Sequence, residues 1–214
     1  MSDLIRTNWL ILTPIILLSV AALALIFERA WFFYRIRPRS GKVLNEALGM
    51  VGTTSAGRIL ALFHEDDASP AKQLLSEALN TRMKAVPSLY RQRLESLRDR
   101  HLDRMERNLP ILQGIGNVAT LLGLFGTVSG MITAFSRMTE SGNSDPYVLA
   151  GGISRALVTT AAGLAVAIPA LAAHHTLEAL VDRHADEMEE VVTECIAHNG
   201  ASYARARERK TTTA

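Results

Sequence analysis

A single cysteine, Cys195, stands among 214 residues, so no disulfide can close within one chain and the redox compartment is left open. Aspartate, glutamate, lysine and arginine are absent from three stretches, residues 9–27, 108–136 and 156–177. Each stretch is long enough to cross a bilayer, since about 20 apolar residues rising 1.5 Å apiece span a ~30 Å hydrocarbon core. Aromatic residues make up only 6% of the chain, and no basic stripe is interleaved with them. A nucleic-acid partner is therefore not expected, despite a net charge of +2 and a pI near 8.9. The apolar stretches also lack paired aspartates, a Ser/His arrangement and a zinc-ligand set, which argues against an intramembrane hydrolase or any other enzyme. No strand-like alternation and no internal repeat occur.

What is present is sharply segregated. Hydrophobic residues are 48% of the chain and charged residues 21%, and the two hardly mix. The pattern predicts an all-α fold: a helical membrane protein with three transmembrane helices extended by cytoplasmic helices. The expected divisions are 1–34 (outer N-terminus and first span), 35–107 (cytoplasmic), 108–177 (second and third spans with a short outer loop) and 178–214 (cytoplasmic helix and basic tail). Ala22-Leu23-Ala24 looks like a cleavage site, but the apolar run exceeds a signal-peptide core of about 7–15 residues. Its positive flank also follows it, at Arg29, Arg35, Arg37, Arg39 and Lys42. An uncleaved helix is expected, ending in an interfacial cluster at Trp31, Phe32, Phe33 and Tyr34. Basic residues after the first span and at Arg205, Arg207, Arg209 and Lys210 put the C-terminus inside and the N-terminus outside. The loop at 137–152 carries Arg137 against Glu140 and Asp145 and belongs outside by the same rule.

The second span is rich in glycine and threonine. Thr120, Gly123, Thr127, Gly130 and Ala134 recur at spacings of three and four on one face; Leu121, Phe125, Val128, Ile132 and Phe135 form the other. The third span repeats this, with Ala156, Thr159, Thr160, Gly163, Ala167 and Ala170 against Leu157, Leu164, Ile168 and Leu171. Small faces let membrane helices pack closely, which is enough to account for the glycines Gly116, Gly123, Gly126, Gly130 and Gly163. A membrane threonine commonly donates back to its own helix, so hydroxyls alone do not make a pathway.

In the cytoplasmic parts, Ser69-Pro70 reads as an N-cap with proline in the first turn, and Val86-Pro87 restarts the chain in a new helix. Gly49 to Gly57 reads as a loop. Tyr90, Leu94, Leu97, His101, Met105 and Leu109 keep helical spacing, predicting a helix that runs straight into the second span with a kink at Pro110. Beyond the third span Leu177, Val181, His184, Met188, Val191 and Cys195 form a coiled-coil-like seam on an acidic helix. That seam fits either a hairpin with the 88–107 helix or a contact between subunits.

The segments GLFGTVSGMI (residues 123–132) and GISRALVTTAAGLAVAIP (residues 152–169) resemble the two signature helices of the MotA/TolQ/ExbB proton-channel family. Three spans and a modest cytoplasmic region are similar to its ExbB and TolQ branch rather than its flagellar stator branch. The resemblance implies a stator or ion-channel subunit of the bacterial inner membrane, driven by the proton motive force. It implies a homo-oligomer, a pentamer, around an ExbD- or TolR-like single-span dimer that supplies a membrane aspartate, and an envelope-spanning TonB- or TolA-like protein beyond it. It carries the family's pore threonines onto Thr127 and Thr160, with Thr120, Gly123, Gly130, Ala156, Gly163 and Ala167 as packing and pore-lining positions.

Two positions depart from the family pattern. Thr120 stands where a proline is frequent, and Arg155 where a glutamate is common, so no carboxylate role transfers there. Arg155 is expected to snorkel to the interface rather than bias ions at the pore mouth. His174 and His175 are the ionisable groups within the third span and read as interfacial, with proton exit the alternative. His174 and Glu178, spaced i, i+4, lack further ligands, so neither a metal nor another cofactor is expected. A non-conducting membrane scaffold or a permease subunit are the competing readings.

Overall fold

The computed structural model describes residues 2–36, 41–63, 67–81, 86–141 and 146–212. Among these described residues seven helices follow one another: α1 (Ser2–Ile36), α2 (Gly41–Gly49), α3 (Ala56–Leu60), α4 (Pro70–Thr81), α5 (Pro87–Glu106), α6 (Leu109–Ser141) and α7 (Pro146–Thr212). No β-strand occurs among the described residues, and α1, α6 and α7 are long and apolar enough to cross a membrane. The all-α, three-span architecture expected from the charge-free stretches is thus present. Both α6 and α7 run past the ends of those stretches, so the expected 137–152 loop is largely helical. A helix ends where its backbone bonds end, whereas the apolar stretch ends at the first charge.

The chain forms two compact units. One comprises residues 1–30 and 108–177; the other comprises 31–107 and 178–214. In the second unit, Ser69 caps α4 by accepting a hydrogen bond from the Lys72 amide at 3.4 Å, and Pro70 opens the helix. Leu74, Leu75 and Ala78 of α4 are buried, as are Tyr90, Leu94 and Met105 of α5. The Tyr90 hydroxyl donates to the Ala78 carbonyl at 3.0 Å and ties the two helices together. Of the expected seam, Val181, His184, Met188, Val191 and Cys195 lie in this unit and are buried within one chain, which favours the hairpin reading over a contact between subunits; Leu177, also buried, belongs to the first unit. Arg98 of α5 ion-pairs with Glu189 of α7 across that hairpin. Burial opposes the Arg98 charge, but Asp99 and Glu189 outweigh it and raise the guanidinium's pKa.

The expected straight run from α5 into the second span is broken. Arg107 closes α5, and Asn108 takes a left-handed backbone conformation, φ 72°, before α6 begins. Asparagine is one of the few side-chain-bearing residues that enter this region readily. The Asn108 carbonyl accepts from the Leu112 amide at 3.2 Å, placing Pro110 in the first turn of α6. Proline there forfeits no helical bond, so Pro110 opens the helix instead of kinking it.

Candidate functional site

In the first unit, α6 and the N-terminal part of α7 form an antiparallel hairpin whose contact is lined by small residues. A Cβ built on Gly116 would lie 2.6 Å from Leu171 Cγ, one on Gly130 2.7 Å from Ala156 Cβ, and one on Gly163 2.6 Å from the Ala119 carbonyl oxygen. At Gly126 and Gly152 it would run into Thr159 and Ala134. Paired positions descend in α6 as they rise in α7, which fixes the antiparallel register. Such close approach maximises van der Waals contact between backbones, the main attraction available inside lipid.

The contacting line on α6 is Gly116, Ala119, Gly123, Gly126, Gly130 and Ala134. It lies one residue away from the face read from sequence at two places: Ala119 and Gly126 take the positions that Thr120 and Thr127 were expected to share. Thr120 is exposed and its hydroxyl donates to the Gly116 carbonyl at 3.0 Å. Thr127 flanks the seam, half-buried, and donates to the Leu124 carbonyl at 2.7 Å. Thr160 differs from both. Its hydroxyl crosses to α6 and donates to the Gly123 carbonyl at 2.8 Å. Gly123 is thus the point where the two helices are joined by both packing and a hydrogen bond.

On α7, Ala156, Gly163 and Ala167 are buried, and the Ala167 carbonyl oxygen would lie 3.5 Å from a Cβ on Gly116. Thr159 is buried against Gly126 and donates to its own Ala156 carbonyl at 2.7 Å. Arg155 is exposed, beside the seam rather than in it. His174 is buried and His175 exposed, with ring centroids 5.2 Å apart. Leu121, Phe125, Val128, Ile132 and Phe135 of α6 are exposed in the single chain, as are Leu157, Leu164 and Ile168 of α7. Those are the surfaces left for lipid or for other chains.

A polar group that sequence spacing does not disclose lies at the end of the first span. Asn108 donates to Glu28 Oε2 at 3.2 Å, and Glu28 Oε1 accepts from the buried Arg29 at 3.1 Å. Glu28 and Asn108 are remote in sequence, and only the fold brings them together. Within its charge-free stretches the hairpin contains hydroxyls and backbone carbonyls but no carboxylate, Glu140 of α6 lying beyond them. Its threonine hydroxyls already donate to carbonyls, and their oxygens keep lone pairs that can accept.

The three long apolar helices define the class: a multi-pass helical protein of the membrane. Comparison with known proteins carries this further. The sequence profile of the MotA/TolQ/ExbB proton channel family matches residues 66–190, and the chain belongs to that family. It is 36% identical to biopolymer transport protein ExbB-like 3 of Synechocystis over 166 residues, 76% of this chain and 77% of that protein. Identity to ExbB-like 1 of the same organism is 34% over 180 residues, 82% and 70% of the two chains. The Tol-Pal system protein TolQ of Haemophilus influenzae is 36% identical over 84 residues, 39% of this chain and 37% of TolQ. These relatives place the chain in the ExbB/TolQ branch, as a multi-pass inner-membrane protein with a proton-channel role.

Proposed function

We propose that this chain is the channel-forming stator subunit of an inner-membrane motor that couples the proton motive force to mechanical work across the cell envelope. Copies of it, five by analogy with the branch, surround the membrane helices of an ExbD- or TolR-like dimer, and a TonB- or TolA-like protein carries the work outward. The observation that carries the reading is the α6–α7 hairpin, closely packed, rich in hydroxyls and without a carboxylate in its charge-free stretches. A proton-driven device needs an ionisable group in the membrane, so the partner supplies it as an aspartate. Charged, that aspartate would be costly in hydrocarbon. With their protons on the Leu124 and Gly123 carbonyls, the Thr127 and Thr160 oxygens accept from its protonated form, and each hydroxyl donates to the ionised form by turning away from that carbonyl, which keeps both states within reach. Arg155 reaches for the outer interface, and His174 and His175 stand near the inner one.

Reconstitution in liposomes tests this. The chain with its partner should carry a proton current that the chain alone does not. Equal current from the chain alone, or none from the complex, would reject it; the latter result would favour a scaffold or permease subunit.

A further inference from the structure

We infer that Thr159, seated in the notch left by Gly126, sets the axial register of α6 against α7 and thereby holds the Thr160 hydroxyl on the Gly123 carbonyl; its consequence for conduction rests on the channel reading above. Thr159 is only 2% exposed, and its hydroxyl is satisfied within its own turn by the Ala156 carbonyl. What it presents to α6 is therefore shape. A β-branched side chain has few rotamers in a helix, and the back-bond fixes one of them. A Cβ at Gly126 would run into Thr159 Oγ1 and lie 2.7 Å from its Cβ and 3.4 Å from its Cγ2, so the glycine is the socket for this side chain, hydroxyl included.

The contacts beside it cannot set register as firmly, and the other large plug, Leu171 on Gly116, lies about three turns away along α7. Gly123 meets the Thr160 and Gly163 backbones, Gly130 meets Ala156, and Gly152 meets Ala134. These are small on both sides and would let one helix slide along the other. Between the Ala119–Gly163 and Ala134–Gly152 contacts, Thr159 and Thr160 are the largest side chains, and only Thr159 fills a glycine notch with its side chain; Thr160 meets Gly123 through its backbone and its hydroxyl. Thr160 follows it directly and points about 100° away around the helix. A slip that lifts Thr159 from its socket also takes the Thr160 hydroxyl off Gly123. Thr159 is thus a positioning residue for a conducting threonine rather than a conducting group.

The test uses the full chain assembled with its partner and two readouts. One is proton flux per assembled complex. The other is independent of conduction: glycine carbonyl-13C and leucine amide-15N labelling selects the Gly123–Leu124 and Gly163–Leu164 peptide units, so the Gly123 carbonyl resonance reports the Thr160 bond directly. Gly126→Ala fills the socket and Thr159→Gly removes the plug. Each should move the Gly123 resonance to where Thr160→Val puts it, and cut flux about tenfold, the equivalent of a modest packing fault. Combining them should restore both, because space is exchanged across the seam. Thr159→Val keeps the shape without the hydroxyl and should leave both unchanged. A Gly123 resonance unmoved in the single variants overturns the inference, as does damage by Thr159→Val equal to that by Thr159→Gly. If Gly126→Ala does not assemble, Thr159→Ala, which only empties the socket, decides by the same resonance. A resonance that follows the exchange in a complex that never conducts would leave the register standing and reject the channel reading.

Discussion

Thr127 and Thr160, equivalent in the sequence, are unequal in the fold. Thr160 donates across to Gly123, whereas Thr127 donates within its own turn. Thr160→Val should therefore lower the chain's stability in bicelles by about 1 kcal/mol, the upper part of the range for interhelical hydrogen bonds in membranes. Thr127→Val should leave stability as it is, and both should slow partner-dependent proton flux. Thr127→Ser should be milder, since it keeps a hydroxyl. Valine variants at both positions that conduct normally would remove the threonines from the pathway. His101 supplies a residue-scale prediction outside the membrane. Burial first, and the Arg104 charge second, lower its pKa below the ordinary 6.5. In the unfolded chain it takes up a proton near pH 6.5, while the folded chain resists until lower pH. Between those values the unfolded state binds more protons, so the stability present above about pH 6.5 is lost as pH falls through this window. His101→Gln should flatten the acid side of a melting-temperature profile measured in detergent; an unchanged slope would assign the acid sensitivity elsewhere.

At the scale of elements, the seam separates two glycines of the same helix. A Cβ at Gly130 would crowd Ala156, whereas nothing lies within 4 Å of the corresponding point at Gly114. Gly130→Ala should cost about 1–3 kcal/mol by overpacking. Gly114→Ala should be neutral or stabilising by up to about 1 kcal/mol through helix propensity. Equal effects in thermal denaturation would show that the hairpin does not close on Gly130. The sequence distinguishes such positions poorly. Gly123, Gly126, Thr127 and Gly130 cover a broad small arc, and spacing alone does not reveal that Gly126, not Thr127, faces α7. The break before α6 was hidden for a different reason: the apolar period from Tyr90 to Leu109 passes through Asn108 without interruption. Only the backbone shows the left-handed turn, and only the fold shows the Asn108–Glu28 bond. Asn108→Gly, which enters that conformation freely, should melt closer to wild type than Asn108→Val, which is strained there. The Ser69-Pro70 and Val86-Pro87 starts were legible because capping and proline act within one turn.

At the scale of the whole molecule, charge segregation made the three-span, all-helical plan legible, because a bilayer tolerates little else. Family membership was legible for a narrower reason. The 123–132 and 152–169 segments combine glycine, threonine and bulky apolar residues in a long specific pattern. The assembly was not legible in physical terms: the exposed faces bearing Phe125, Ile132 and Ile168 show that something apolar covers them, not whether it is lipid, another copy or a partner. Orientation rests on the basic residues, and labelling can decide it. Tyr147 at the start of α7 is exposed, and so is Ser88 in α5, whereas Ser69 is buried and would label poorly on either side. In a Cys195→Ser background, Tyr147→Cys should react with a membrane-impermeant maleimide in intact spheroplasts. Ser88→Cys should react only after the membrane is opened. The positive-inside argument requires this pairing, since the basic cluster after the first span lies on the Ser88 side. Labelling of Ser88→Cys with protection of Tyr147→Cys would invert the chain. Arg155 would then stand near the cytoplasm and the two histidines near the outer face.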